Sequence, residues 1–157
     1  MHEIKLISKS LDDTSLIADY IASLFKNNNG GVLFLDGDLG AGKTTFTKAF
    51  AKHLNIYDVV TSPTFNIFKQ YTIDENTMLN HFDLYRIMSN VYDQGFEDYW
   101  YSNDYNIIEW STYLPDEFKG MYLVKIDIQI DNEIRIFKII TQQNILEDKE
   151  KINELIY

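Results

Sequence analysis

Apolar and polar residues follow two different periods along this chain, and each change of period marks the boundary of a predicted element. After Ser10, apolar residues recur at the spacing of an amphipathic helix, and this pattern ends at the polar run 27–31. A continuous apolar run at 32–35 is typical of a buried strand, and residues 46–54 return to helical spacing. The apolar face of the first helix consists of Leu16, Ile17, Tyr20, Ile21, Leu24 and Phe25.

Elsewhere the chain reads mainly as strands separated by polar turns. Alternation of period two is clearest after residue 120, where Asp131-Asn132 forms a two-residue turn typical of a β-hairpin. Residues 145–156 again have the spacing of an amphipathic helix. Because strands outnumber helices, the pattern predicts an α/β protein with a mixed sheet. The predicted strands are residues 3–7, 58–61, 66–73, 77–85, 105–108, 121–130 and 133–141.

Composition narrows the class of protein. The chain has 157 residues, which predicts a single domain over 1–157 with a core that needs no covalent support. The absence of cysteine excludes disulfides, zinc ribbons and thiol catalysis. The N-terminus lacks a basic region followed by an apolar run, and no apolar stretch approaches the roughly 18 residues of a membrane span. We therefore expect a cytoplasmic protein that does not associate with membranes.

The charge of the chain argues against one class of partner. Its formal net charge is −10, whereas a broad nucleic-acid-binding surface needs clustered Lys and Arg. Of the 14 basic residues, only Arg86 and Arg135 are arginines. We therefore expect little direct affinity for nucleic acid and few guanidinium groups for stabilising phosphate charge.

The loop Gly37–Thr44 carries the most specific chemistry. It reads G-D-L-G-A-G-K-T, which matches the P-loop pattern G-x-x-x-x-G-K-[ST] of ATP- and GTP-binding proteins. Glycines in such a loop let backbone N–H groups turn toward phosphate oxygens, Lys43 reaches the β- and γ-phosphates, and the Thr44 hydroxyl binds Mg²⁺. A strand precedes the loop and a helix follows it, so the predicted fold is a P-loop NTPase-like sandwich with a mixed, partly parallel central sheet.

Two acidic residues follow strand-like runs and are candidates for the rest of the site. Asp83 could hold Mg²⁺ through water, and its alternative is an ordinary turn aspartate. Glu109 could ligate Mg²⁺ or polarise the attacking water, because ligands bind at the carboxyl ends of strands in open α/β sheets. Its alternative is a surface acid at a strand end.

The neighbours of these acids have open interpretations. His81 is more typical of a packed or hydrogen-bonded histidine than of a catalytic one. Arg86 either stabilises phosphate charge or pairs with a carboxylate, and Trp110 either stacks on a base or partner or simply packs. The hydroxyl-rich loop 61–65 is either a switch over the γ-phosphate or a strand-terminating turn.

Taken together, these segments resemble the TsaE family, the small bacterial ATPase of tRNA threonylcarbamoyladenosine synthesis. The resemblance implies ATP and Mg²⁺ as cofactors and the TsaD and TsaB proteins as partners. In that system TsaD transfers a threonylcarbamoyl group to adenosine 37 of tRNA, and TsaE hydrolyses ATP to support turnover, reaching tRNA only through the complex. The stretches that carry the resemblance are Gly37–Thr45, Ser62–Phe65, His81–Arg86, Gly95–Tyr99 and Ile108–Trp110.

The resemblance also assigns roles to residues. It implies that Lys43, Asp83 and Glu109 are catalytic, and that Thr44, Glu109 and Asp83 hold the metal. Trp110 belongs to the active-site and partner surface. One departure is visible, because Ser111-Thr112 follows Glu-Trp where the family usually has Pro or a small residue and then an acid. The residues implied to bind the nucleotide are Leu11, Gly40, Ala41, Gly42, Lys43, Thr44, Thr45, Thr64 and Trp110.

Three alternatives remain at this point. A small-molecule or nucleotide kinase usually clamps the transferring phosphoryl group with several arginines, and this chain has two. A GTPase is disfavoured because no Asn-Lys-x-Asp element is present. A nucleotide-gated binding module, in which hydrolysis is incidental, is not separated from an ATPase by the sequence.

Overall fold

The computed structural model describes residues 1–63, 66–87, 95–143, 150 and 152–157. No helix in these ranges is long and apolar enough to cross a lipid bilayer. Single 3₁₀ turns occupy Ser111–Tyr113, Asp116–Phe118 and Asn153–Leu155. The helices and strands, in chain order, are β1 (His2–Ser8), α1 (Leu11–Asn27), β2 (Gly31–Gly37), α2 (Lys43–His53), β3 (Phe68–Thr72), β4 (Met78–Asp83), α3 (Glu97–Trp100), β5 (Tyr105–Glu109), β6 (Val124–Asp131) and β7 (Ile134–Thr141).

The strands form one seven-stranded sheet in the order β1-β7-β6-β2-β5-β4-β3. β2 pairs in parallel with both β5 and β6, and β4 pairs in parallel with β5. Antiparallel pairs lie toward the two edges, where β3 pairs with β4 and β7 pairs with both β1 and β6. The predicted α/β class with a mixed, partly parallel central sheet is therefore confirmed.

Helix α1 begins and ends at residues whose hydrogen bonds satisfy backbone N–H and C=O groups at the helix ends. The Ser10 side chain accepts a hydrogen bond from the Asp13 N–H at 3.1 Å, and the Asp13 carboxylate accepts from the Lys9 N–H at 2.8 Å. At the other end the Asn28 N–H donates to the Leu24 carbonyl at 3.0 Å. These caps fix the helix to the stretch whose apolar face the sequence predicts.

Both faces of the sheet are covered. On β2, Leu33 and Leu35 belong to the core beneath α1 and α2, whereas Val32 and Phe34 belong to a second core that includes α3 and the 3₁₀ turns at 111–113 and 116–118. A strand buried on both faces needs apolar residues at successive positions, which explains the continuous run at 32–35. The central strands are thereby shielded from water along most of their length.

The parallel strands bring the candidate acids to one edge of the sheet. Glu109 is the last residue of β5, and it lies opposite Asp83, the last residue of β4, and opposite Leu35 of β2. β2 ends two positions later at Gly37, where the glycine-containing loop begins. The carboxyl ends of all three strands therefore meet beside loop 37–44, as open α/β sheets require of a ligand site.

The predicted strand at 58–61 is wrong. Val59 is 85% exposed whereas Val60 is 6% exposed. The Thr61 N–H donates to the Tyr71 hydroxyl at 3.3 Å instead of to a neighbouring strand. The two valines therefore belong to an irregular connection that buries one side chain against the core and has no strand ladder.

Two other boundaries differ because of residues with positive φ. Ile67, with φ 66°, places the start of β3 at Phe68 instead of residue 66. The hairpin turn is Asn132-Glu133 and not Asp131-Asn132, because Asp131 still pairs with Ile134 and Asn132 has φ 55°. Other predicted strand ends are displaced by one to three residues.

The predicted C-terminal helix at 145–156 is only partly covered, because residues 144–149 and 151 lie outside the described residues. Within the described part, Asn153–Leu155 forms a 3₁₀ turn and Ile156 makes an antiparallel bridge to Leu6 of β1. The chain end is therefore extended at Ile156 and not helical there.

Truncation of Phe50 tests the packing that fixes α2 against α1. Its fully buried ring lies 5.4 Å from that of Phe25 in an edge-to-face contact and 6.1 Å from that of Phe46. We expect Phe50→Ala to lower the free energy of unfolding by about 3–5 kcal/mol, measured by urea denaturation. Tyr57→Ala is the control, because Tyr57 is 93% exposed and its loss should change stability by less than about 0.5 kcal/mol. Equal effects of the two substitutions would contradict this packing.

Candidate functional site

The loop between β2 and α2 is a turn that only glycine accommodates easily at two points. Gly40 has φ 77° and Gly42 has φ 113°, in the region that side-chain-bearing residues avoid. The first helical hydrogen bond of α2 runs from the Phe46 N–H to the Gly42 carbonyl at 2.9 Å. The N–H groups of the preceding residues, starting at Lys43, are therefore directed out of the helix end.

The space around these glycines fits an anion. A Cβ atom built on Gly40 or on Gly42 would meet no atom of a non-adjacent residue within 4 Å, so the space beside these two glycines is open. The N-terminus of α2 faces this region with its positive dipole end. Free N–H groups, a dipole and room for several oxygens are the requirements of a phosphate site, and this loop meets them.

Lys43 is the cation of this loop and is itself nearly buried, with 7% of its surface exposed. Its ammonium donates to the carbonyl of Gly37 and, at 3.2 Å, to that of Asp38. It also lies 4.6 Å from the ring centroid of Trp110, on the face of the indole. The charge is thus held over the loop by neutral partners, which a phosphate oxygen can replace.

Asp83 and Glu109 are the buried acids beside the loop, with 5% and 2% of their surface exposed. Asp83 accepts a hydrogen bond from the Tyr85 N–H at 3.0 Å, and the Leu84 N–H donates to the Glu109 carbonyl at 3.2 Å. The two strand ends are therefore tied together just past their last residues. Together with the Thr44 hydroxyl, the two carboxylates form an all-oxygen donor set, which is the kind that Mg²⁺ prefers.

His81 is the hydrogen-bonded histidine that its sequence pattern suggested. It is fully buried on β4, and its Nε2 lies 3.1 Å from Oε1 of Glu109. Its Nδ1 is buried and has no hydrogen-bond partner within the described part of the chain. We assign the proton to Nε2, because an N–H group at Nδ1 would be buried without an acceptor.

Trp110 adopts the left-handed conformation, with φ 58° and ψ 48°, immediately after Glu109. Its ring lies 4.9 Å from that of Tyr85 and is stacked on that of Tyr113 at 6.1 Å. A bulky residue in this region of φ/ψ space is strained and persists only where its surroundings hold it. The indole is therefore a fixed, half-buried wall of the site.

Asp36 supports this site from beside Trp110, and sequence reasoning missed it. Its carboxylate accepts two hydrogen bonds from Ser111, one from the backbone N–H at 2.7 Å and one from the hydroxyl. These bonds hold the chain just beyond Trp110 and so support its left-handed turn. Burial raises the pKa of the Asp36 carboxyl above its ordinary value, and the two hydrogen bonds oppose that rise only in part.

The predicted residues line two adjoining cavities. One, of about 340 Å³, brings Gly40, Gly42, Lys43, Thr44 and Thr45 together with Asp83, Glu109 and Trp110. Tyr85, Leu39 and Ser62 also line this cavity. The second, of about 280 Å³, shares Gly40, Gly42 and Thr45 with the first and is lined in addition by Leu11 and Ala41. Thr64 lies outside the described residues.

Arg135 also contributes to the site. The only signal of this in the sequence was that arginine is rare in the chain. Its Nε donates to the Ala41 carbonyl at 3.0 Å, so β7 holds the backbone of the glycine-containing loop. It also lines the second cavity. Arg86, the other arginine, is exposed in the turn after β4 and does not line either cavity.

Comparison with known families agrees with this arrangement. The family model described as "Threonylcarbamoyl adenosine biosynthesis protein TsaE" matches residues 8–138. The chain belongs to the TsaE family. The match spans the strands and the loop that build both cavities, so the resemblance seen in the motifs is confirmed.

Individual relatives extend over most of the chain. It is 39% identical over 117 residues to the Bacillus subtilis tRNA threonylcarbamoyladenosine biosynthesis protein TsaE, covering 74% of this chain and 72% of that one. It is 33% identical over 143 residues to the protein of the same name from Rickettsia felis, covering 88% and 81%. Among solved structures, the crystal structure of Bacillus subtilis YdiB matches with a TM-score of 0.69 and 29% identity over 91% of this chain and 88% of that one.

The raised pKa of Asp36 predicts a pH dependence of stability. Because the folded carboxyl binds its proton more tightly than the unfolded one, its contribution to stability is greatest at low pH and is lost as pH rises through the folded pKa. We expect the free energy of unfolding of the wild type, relative to Asp36→Asn, to decrease as pH rises above about 3.8.

Urea denaturation across a pH series measures this difference. Asp74→Asn is the control of opposite sign, because the Asn76 N–H, at 2.9 Å, and the Thr77 side chain lower the pKa of the exposed Asp74 carboxyl. The stability contributed by Asp74 should therefore be lost as pH falls. A difference for Asp36→Asn that is constant or grows with pH is inconsistent with the buried carboxylate described here.

Proposed function

We propose that this protein is a Mg²⁺-dependent ATPase of tRNA threonylcarbamoyladenosine biosynthesis that works with the TsaD and TsaB proteins. The names of its relatives supply the pathway. The observation that carries the ATPase proposal is the single cavity lined by Lys43 and Thr44 of the loop and by Asp83 and Glu109 of two adjacent parallel strands. A phosphate cradle and metal-binding carboxylates in one cavity are what phosphoryl-group hydrolysis needs.

The phosphate chain of ATP would lie along the N-terminus of α2. Backbone N–H groups from Gly40 to Thr45 would bind its oxygens, and Lys43 would exchange the Gly37 and Asp38 carbonyls for the β- and γ-phosphates. The adjoining cavity, lined by Leu11 and Ala41, is then available to the nucleoside, because the two cavities share the glycines of the loop.

The metal would be held by the Thr44 hydroxyl and Glu109, with Asp83 beside them. When bound, Mg²⁺ would supply positive charge that neutralises the negative charge developing on the phosphates. No group of three or more His, Cys, Asp or Glu in the described ranges could hold a metal ion. That fits Mg²⁺, which is usually bound by one or two carboxylates together with substrate phosphates and water.

Hydrolysis also needs a group that orients water at the γ-phosphate. Asp83 and Glu109 both line the cavity and are nearly buried, so either carboxylate can accept a proton from a water molecule there. Trp110 encloses the same space and keeps bulk water away from Lys43, which strengthens the attraction between the ammonium and the phosphates.

The positions of the two arginines support the proposal that partner proteins take part in hydrolysis. Arg135 is bonded to the Ala41 carbonyl, and Arg86 is exposed outside both cavities. Charge on the transferring phosphoryl group is commonly stabilised by an arginine, which another protein can supply. We therefore propose that the TsaD–TsaB complex completes the site, and that this acidic chain reaches tRNA only through that complex.

Lys43→Ala and Glu109→Gln test the ATPase proposal. Each removes one charge from the cavity, and Gln keeps an acceptor for His81. We expect the turnover number for ATP to fall by about 10²-fold or more in both variants, with the far-UV circular dichroism spectrum and cooperative unfolding retained. Lys48→Ala, at an exposed position of α2, is the matched control and should keep wild-type turnover. Loss of cooperative unfolding in the Lys43 or Glu109 variant would assign that residue to the fold instead.

Addition of partners tests the second half of the proposal. We expect weak ATP hydrolysis by the isolated chain and a rise of about tenfold or more on adding TsaD and TsaB, because charge stabilisation is incomplete in this chain alone. Single-turnover hydrolysis with and without the partners measures the effect. Turnover of tens per second by the isolated chain, unchanged by partners, rules the idea out.

A further inference from the structure

We propose that His81 is a positioning residue that fixes the Glu109 carboxylate for the metal. The proposal rests on the proposed function, since it assigns Glu109 to a metal–nucleotide site. His81 does not line the cavity, so it acts only through Glu109.

The sheet register explains how the two side chains meet. His81 lies on β4 opposite Ile107 of β5, two positions before Glu109. Parallel strands keep this offset fixed, and the His81 Nε2 reaches Glu109 Oε1 at 3.1 Å, with side chains that are 0% and 3% exposed. Because His81 and Glu109 lie on neighbouring strands, their hydrogen bond depends on the register between β4 and β5 and not on the conformation of a loop.

The hydrogen bond divides the two carboxylate oxygens between two tasks. Oε1 accepts from His81, and the second oxygen makes no hydrogen bond to the described residues. Since Glu109 lines the cavity, that second oxygen is the one available to a ligand there. The geometry thus favours a carboxylate that presents one chosen oxygen to the metal, as hydrogen bonds to metal-binding carboxylates do elsewhere.

The unpartnered Nδ1 of His81 supports the role of Nε2 as the donor. Its surroundings offer no acceptor in the described part of the chain, so the ring donates only through Nε2. A fully buried ring that donates through one N–H group is a directional donor. A purely packed residue of similar volume would fill the same space but give the carboxylate no preferred orientation.

Substitution of His81 separates orientation from packing. His81→Leu fills the space without a donor, whereas the amide of His81→Gln reaches the position of Nε2. With ADP bound, Mn²⁺ affinity measured by electron paramagnetic resonance should weaken about 10- to 100-fold in the Leu variant and stay within about threefold of wild type in the Gln variant. Affinity for ADP without metal should be unchanged in both, which reports that the phosphate cradle is intact.

His53→Leu is the matched control. His53 also pairs with a carboxylate, Asp19 at 3.3 Å, but does so at the end of α2 and lines neither cavity. Its loss should leave Mn²⁺ affinity unchanged. If the His81→Leu protein does not fold, His81→Asn takes its place, because that shorter amide cannot reach Glu109 and should lose Mn²⁺ affinity as the Leu variant would.

The outcomes distinguish the two proposals. Wild-type protein that binds neither ADP nor Mn²⁺ with ADP contradicts the proposed function itself. If the wild type binds Mn²⁺ with ADP and His81→Leu binds it with equal affinity, the role of His81 is overturned but the proposed function is not. Weak Mn²⁺ binding in the Gln variant as well as the Leu variant also overturns it, because packing and not the N–H group would then be the requirement.

Discussion

The parallel pairing of β2, β5 and β4 is the constraint on which the rest of the molecule depends. It aligns three carboxyl ends of strands at one edge, so that residues seventy positions apart along the chain, such as Leu39 and Glu109, come to border one cavity. Parallel strands require cover on both faces, and the two cores supply it. A one-residue change of register would turn Asp83 or Glu109 to the opposite face and dismantle the site.

Charges buried at this edge each have a compensating partner, which is what allows them to be buried. Lys43 is held by loop carbonyls and an indole face, Glu109 by the imidazole of His81, and Asp36 by Ser111. Removing such groups from water is costly unless hydrogen bonds replace hydration. The raised pKa of Asp36 indicates that its hydrogen bonds replace only part of the hydration that the carboxyl loses. The strained Trp110 is held in place beside it.

Much of this arrangement was predictable from the sequence, because its signals are local. The run at 32–35, the glycines of loop 37–44 and acids at strand ends each have a short-range physical meaning. What the sequence did not reveal depends on contacts between distant residues. Asp36 with Ser111 and Arg135 with Ala41 join segments that only the sheet order brings together. The strand expected at 58–61 failed for the same reason, since two valines indicate burial but do not identify a neighbouring strand.

The contacts of Lys43 have a consequence for the thermodynamics of any phosphate ligand. The ammonium is already out of water and already bonded, so a phosphate oxygen gains its attraction only by replacing the bonds to the loop carbonyls. Binding of the phosphate is then an exchange of partners for Lys43. The free energy of its bonds to the Gly37 and Asp38 carbonyls is lost and reduces the free energy of binding. Such a cradle binds less tightly than its charge suggests, but it releases the ligand without leaving a lone buried cation. A site of this kind is suited to exchange of its ligand and not to its storage.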